Sequence, residues 1–130
     1  MTLTPEDRAA IIEYRKERSL VALREAEYVA KGGFWNLAAN RLYYSAFYMC
    51  EALLLANQIS TNSHAGVSRM MNLHFVKTGK LSLEEGSLLG RLFRMRQTGD
   101  YDDLSDWQES EIMPMFPLVE KLINKIEALI

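Results

Sequence analysis

Following Leu89 and Phe93 in helical steps leads to Arg96 and then Asp100, so a basic and an acidic residue occupy the end of an otherwise apolar stripe. Four residues apart, they are spaced to pair. Asn40 and Arg41 stand in a similar position, about one turn before the aromatic pair Tyr43-Tyr44, in a segment that is apolar on nearly every face. Two kinds of chemistry fit polar residues placed this way. One is an ion pair with attendant hydrogen bonds that closes the end of a helical bundle. The other is a polar pocket for phosphate or a nucleotide, because the planar guanidinium fork of Arg matches phosphate oxygens.

Other chemistries find less support. Helical bundles that carry metals do so through Glu-x-x-His pairs, and neither His64 nor His74 has an acid three residues before it. The glycines never approach GxGxxG or a P-loop spacing. A serine hydrolase needs its nucleophile on a strand-to-helix elbow, which an all-α chain does not offer. The lone Cys50 reads as a small core residue, and it cannot form an internal disulfide or complete a zinc site with two distant histidines. No metal or cofactor is expected. His64, after Asn62-Ser63, reads as a surface or capping residue at a helix start, and His74 beside Phe75 as a half-buried one. Tyr43, Tyr44, Phe47 and Tyr48 read as core and dimer seam, with base stacking as the lesser alternative. Lys77, Lys80, Arg91 and Arg94 read as a solvated face or a basic edge.

The elements that must position these residues are helices. Three prolines and seven glycines in 130 residues leave few obligatory turns. Thr4-Pro5-Glu6-Asp7 is a helix start, and Ile12, Ser19, Ala22, Leu23, Ala26, Val29 and Ala30 trace one face up to Gly32-Gly33. A second helix over about Phe34–Asn57 is apolar all round, which places it at the centre of a bundle. A third runs from His64 to about Val76. Ser82 and Glu85 form a capping box that opens a fourth, which runs into Gly99. Ser105 with Gln108 suits a fifth start, and Pro114 with Pro117 predicts a kink or split near residues 113–117. The expectation is one all-α domain over 1–130, an antiparallel up-and-down bundle of about five helices.

Composition bounds what such a domain does. A net charge of −2 argues against a nucleic-acid binder that works by bulk charge, so any RNA contact must be local. The N-terminus lacks the basic start and apolar stretch of a secretion signal, and no apolar run approaches the ~18 residues of a membrane span. A cytoplasmic protein with no membrane contact is expected.

The segments Asn40-Arg41-Leu42-Tyr43-Tyr44-Ser45-Ala46-Phe47, His64 with Gly66, Phe75-Val76-Lys77-Thr78-Gly79 and Leu92 through Tyr101 follow in this order. Together they resemble the HEPN family (higher eukaryotes and prokaryotes nucleotide-binding) over about residues 10–128. The most specific piece is Arg96, three residues, then Asp100-Tyr101. The resemblance implies a helical bundle, commonly a homodimer, often encoded beside a nucleotidyltransferase as a toxin–antitoxin pair. Many members are metal-independent ribonucleases using an Arg, four to six intervening residues, and then a His. Here no His follows either Arg94 or Arg96, and Asp100, Asp102 and Asp103 crowd the place instead. A solvated Asp stays ionised at neutral pH and repels a scissile phosphate. The resemblance therefore implies a non-catalytic or weakly active HEPN domain that binds RNA or a nucleotide, with Asn40, Arg41, Arg94, Arg96, Asp100 and Tyr101 as the ligand-binding set. The alternatives are a ribonuclease toxin built on Arg96, Asp100 and Tyr101, and a purely structural dimer or adaptor.

Overall fold

A computed structural model describes residues 3–102 and 106–130. Among these residues the elements are helices, without a strand: α1 (Pro5–Lys31), α2 (Trp35–Ala56), α3 (His64–Met71), α4 (Leu83–Tyr101), α5 (Glu109–Ile112) and α6 (Met115–Leu129). The all-α bundle expected from the sequence is the architecture observed. The helix start expected at Ser105, and Asp103 beside it, lie outside the described residues.

α1 begins as its residue types dictate. The Thr4 hydroxyl accepts a hydrogen bond from the Asp7 amide at 3.0 Å, and Pro5 occupies the first helical position. The helix ends at Gly32-Gly33, where Gly33 takes a φ of 79°, a conformation open to glycine at little cost. Its buried face is Ser19, Ala22, Ala26 and Ala30. These are small side chains, so α1 lies close against α2. Ser19 Oγ donates to the Ser45 carbonyl at 2.6 Å, which satisfies a hydroxyl that is completely removed from water.

α2 is the centre of the bundle. Twelve of its 22 residues are buried and cover most of its circumference, leaving one partly exposed stripe through Leu37, Arg41, Tyr44, Tyr48 and Glu51, so the other helices find an apolar surface to pack on. It contacts α1, α3, α4, α5 and α6 in turn. The other principal walls of the core are Val67 and Met71 from α3, Leu89, Leu92 and Met95 from α4, and Val119, Leu122, Ile123 and Ile126 from α6.

Three boundaries differ from the sequence expectation. The third helix is α-helical only to Met71 and continues as a π-helical turn over Asn72–Val76, which shifts the register before Gly79. Gly86 lets this turn pass close to α4, since a Cβ there would meet Val76 Cγ2 at 2.6 Å. The fourth helix does not stop at Gly99 but runs on to Tyr101, placing Asp100 and Tyr101 within the helix. Gly99 serves a close approach instead: a Cβ there would lie 3.1 Å from the Trp107 ring and 3.3 Å from Asn36. Finally, the C-terminal segment is split at Met113-Pro114, within the stretch where the prolines predicted a break, and α5 is capped by Gln108 with Glu111 rather than from Ser105.

The core position of Leu53 contrasts with Leu83, which is 79% exposed at the start of α4. Leu53→Ala is expected to cost about 2–5 kcal/mol through lost burial and a residual cavity, whereas Leu83→Ala should stay within about 0.5 kcal/mol. Urea unfolding followed by circular dichroism checks both, and equal losses would contradict the placement of α2 at the core.

Candidate functional site

α2 and α4 lie side by side, and residues at helical spacing on each form a ladder along their seam. From α2 come Asn40, Tyr43, Tyr44 and Phe47; from α4 come Leu89, Phe93, Arg96 and Asp100. The aromatic part of the ladder is continuous, with Tyr43 packed on Phe93 at 5.5 Å and on Phe47 at 5.6 Å between ring centroids. At one end it gives way to charge.

Asp100 is the hub of that end. Its Oδ2 accepts a hydrogen bond from Asn40 Nδ2 at 2.8 Å and lies 3.0 Å from Arg96 Nε. The Arg96–Asp100 contact is an ion pair by distance, but Nε is turned out of hydrogen-bond alignment and, among the described residues, is buried without a hydrogen-bond partner. The Arg96 side chain is only 14% exposed. It is held between two rings, its guanidinium carbon 5.5 Å from the Tyr44 centroid and 5.3 Å from that of Tyr101, while Nη2 donates to the Tyr101 hydroxyl at 3.3 Å.

Arg41 extends the network across α2. Its Nε donates to Asn40 Oδ1 at 2.9 Å, its Nη1 pairs with Glu25 of α1 at 3.2 Å, and its guanidinium lies 5.2 Å from the Tyr44 centroid. Tyr44 thus carries two cations on one ring. The chain Glu25–Arg41–Asn40–Asp100–Arg96–Tyr101 brings together five of the six binding candidates from the sequence. Arg94 lies apart, lining the groove between α4 and α6 with Arg91, Lys121 and Lys125. The segment that follows α4 is fastened to the start of α2 by Asn36, whose Oδ1 accepts the Trp107 amide at 2.8 Å and whose Nδ2 donates to Asp106. The Trp107 indole also donates to the Met95 carbonyl at 2.8 Å, bracing the last turns of α4.

His64 was expected at the surface or as a cap, and the structure corrects this. Ser63 is the cap, its hydroxyl accepting the Gly66 amide at 2.9 Å, while His64 turns inward among the aromatic residues. The imidazole lies 4.6 Å from Phe47 and stacks on Phe93 at 5.6 Å, and its Nδ1 is 2.5 Å from the Tyr43 hydroxyl. Burial and the nearby positive charge of Arg96 hold its pKa below the usual histidine value, so the ring is neutral at pH 7. Burial pushes the Tyr43 phenol well above its ordinary value. The signal in the sequence was spacing: His64, Val67, Met71 and Phe75 recur in helical steps, and the last three are buried. His74, by contrast, is exposed on the π-helical turn. Among the described residues no group of His, Cys, Asp and Glu could hold a metal ion, and no helix is long and apolar enough to cross a membrane.

Residues 12–129 match the HEPN domain family. A UPF0332 protein of Thermotoga maritima is 38% identical over 95% of this chain and 94% of its own length. A protein of Methanocaldococcus jannaschii named Putative toxin MJ0142 is 34% identical over 80% of this chain and 76% of its own, and a second from that organism, Putative toxin MJ0605, is 30% identical over 74% and 69%. With the family matched across nearly the whole chain and the Arg-x3-Asp-Tyr residues built into one network at the α2–α4 seam, the chain belongs to the HEPN family.

Proposed function

We propose that this is a toxin-type HEPN domain that binds RNA at the Asn40–Arg41–Arg96–Asp100–Tyr101 end, acts as a homodimer, and works with a nucleotidyltransferase partner. The observation that carries the reading is the commitment of Arg96 to Asp100. An arginine whose charge is offset by a carboxylate at 3.0 Å stabilises a developing phosphate charge less strongly than a free one, and a carboxylate already engaged by Arg96 and Asn40 is a poor replacement for the histidine that moves protons in phosphodiester cleavage. The pairing thereby disfavours cutting more than holding, because the Arg96 guanidinium and the rings of Tyr44 and Tyr101 against it remain as contacts for a strand. The names of the two Methanocaldococcus jannaschii relatives supply the toxin side of the proposal, and the Arg96 guanidinium held between the Tyr44 and Tyr101 rings favours, as a second reading, a ribonuclease in which Arg96 stabilises the cleaved phosphate. A gel assay on tRNA separates the two: products made by the parent and not by Arg96→Ala would establish cleavage.

The homodimer reading has its own support. Tyr28, Phe34, Leu37 and Val21 are 80, 63, 47 and 40% exposed, and they form an apolar strip along α1 and the start of α2 that runs up to Asn40 and Arg41. Pairing two copies through this strip would bring two motif-bearing ends towards each other. Tyr28→Glu combined with Leu37→Glu is expected to convert a dimer to a monomer of unchanged helicity in size-exclusion chromatography with light scattering. A parent that runs as a monomer at all concentrations would reject the dimer.

Opposite signs are expected from the two halves of the ion pair. Arg96→Ala should weaken single-stranded RNA binding roughly tenfold by removing a charged hydrogen-bond donor. Asp100→Asn keeps the shape and the bond from Asn40 but frees the arginine, so it should tighten binding by about fivefold. Fluorescence anisotropy measures both, and identical affinities for parent and variants would place RNA elsewhere or nowhere on the protein.

A further inference from the structure

Beside the aromatic ladder, α3 and α4 enclose an open groove of about 340 Å³. Its walls are His64, Ser68 and Arg69 from α3 and Asn72 at the start of the π-helical turn, facing Leu89, Gly90 and Phe93 from α4, with Tyr43 at its base. None of these residues is acidic, in contrast to the Asp100 end. Among the described residues Arg69 makes no salt bridge, and the Ser68 hydroxyl makes no hydrogen bond. Gly90 keeps the α4 wall low, since the nearest atom to a Cβ there would be Arg94 Nη1 at 3.5 Å.

The hydrogen bond at the base decides what His64 offers to this groove. The Tyr43 side chain is almost completely buried, and Nδ1 of His64 is the one acceptor its hydroxyl meets among the described residues. A buried phenol keeps its proton and donates it to an acceptor in reach. Nδ1 is therefore occupied as an acceptor, and the single proton of the neutral ring resides on Nε2. That tautomer cannot accept a proton at Nε2, so His64 does not replace the histidine that the α4 motif lacks. It presents a fixed N–H donor instead.

We propose that the α3–α4 groove is a second strand-binding subsite, in which the Nε2–H of His64 and the guanidinium of Arg69 hold a phosphate of single-stranded RNA. The subsite rests on the RNA reading of the preceding section and extends it. Arg96 and His64 both lie against Tyr44, at 5.5 Å and 6.1 Å from its centroid, so the two polar stations flank one aromatic ring along the same surface. A strand crossing that surface meets the ion-paired Arg96 at one side and the acid-free groove at the other. Single strands are held by this combination of cationic stations and aromatic faces.

The test uses the full chain and a fluorescent single-stranded oligoribonucleotide of mixed sequence. His64→Leu removes the donor while roughly keeping the volume, His64→Gln restores an N–H donor, and Arg69→Ala alters an exposed residue that the fold does not need. Binding is expected to weaken about fivefold to tenfold in His64→Leu and in Arg69→Ala, and to return towards the parent value in His64→Gln. Nitrogen NMR of the parent should show a protonated Nε2 and an unprotonated Nδ1 at pH 7, and Tyr43→Phe should release that preference. Parent-like binding by Arg69→Ala and His64→Leu, with Arg96→Ala still weakened, would overturn the groove while leaving the RNA reading intact. So would an unprotonated Nε2 in the parent. Absence of RNA binding by the parent would overturn the RNA reading and the subsite together. Should His64→Leu fail to fold, Arg69→Ala and the tautomer still decide the matter.

Discussion

A helix buried over most of its circumference has only one narrow stripe to give to water, and the rest of this molecule follows from that constraint on α2. Each neighbour supplies one side of the shell, with α1 using small residues to come close and α3, α4 and α6 using larger ones to fill the remaining space. Polar atoms on such a helix must find partners within the protein or at its ends. Ser45 does so inside, where its hydroxyl donates to the Leu42 carbonyl and its own carbonyl accepts from Ser19. Asn40 and Arg41 do so at the end, where they reach Asp100 and Glu25. The polar network at the α2–α4 seam is thus one place where the helix meets water, and its geometry is inherited from the packing beneath it.

Within that network the charges are balanced rather than accumulated. Arg41 has Glu25 and Arg96 has Asp100, and the two guanidinium groups share the face-rich environment of Tyr44 without an uncompensated field between them. Partly buried ion pairs of this kind gain Coulomb energy against a desolvation cost, so their net stabilisation is modest and their value lies in fixing orientation. Asn40 adds to this by bonding Asp100 and Arg41 from one side chain. The orientation of α4 against α2 is further held by Asn36 and Trp107, whose hydrogen bonds fasten the returning chain to the start of α2.

Much of this was legible from local patterns. The Thr4 cap, the Ser82–Glu85 capping box, the all-apolar α2 and the proline break before α6 each depend on neighbouring residues, and each is present in the structure. The Arg96–Asp100 pairing was readable for the same reason, being set by four-residue spacing on one helix. What was not legible depended on residues distant in sequence. Gly99 resembles a helix stop, but its partner in space is Trp107, whose ring occupies the volume a side chain would need. His64 resembles part of a cap because Asn62 and Ser63 precede it, yet its environment comes from Tyr43, Phe47 and Phe93 on two other helices. Even the approach of Asn40 to Asp100, 60 residues apart, required knowing that α2 and α4 are neighbours.

The division of charge along the seam gives the His64 environment its significance. At the α4 end each basic group has an acidic partner within 3.2 Å, whereas the groove beyond Tyr44 has basic and neutral donors with no acid among its walls. An incoming polyanion responds to the local field and not to the net charge of −2. Of the two ends of this seam, the proposed subsite at Arg69 and His64 is the more favourable to it, although the motif by which the family is recognised lies at the other end. The Tyr43 hydrogen bond then limits what can happen on arrival, because a ring nitrogen that already bears its proton can donate to a phosphate oxygen but cannot take a proton from a hydroxyl. In the proposed subsite, holding and cutting would be separated by the placement of one proton, and the packing of Tyr43 beneath His64 sets that placement.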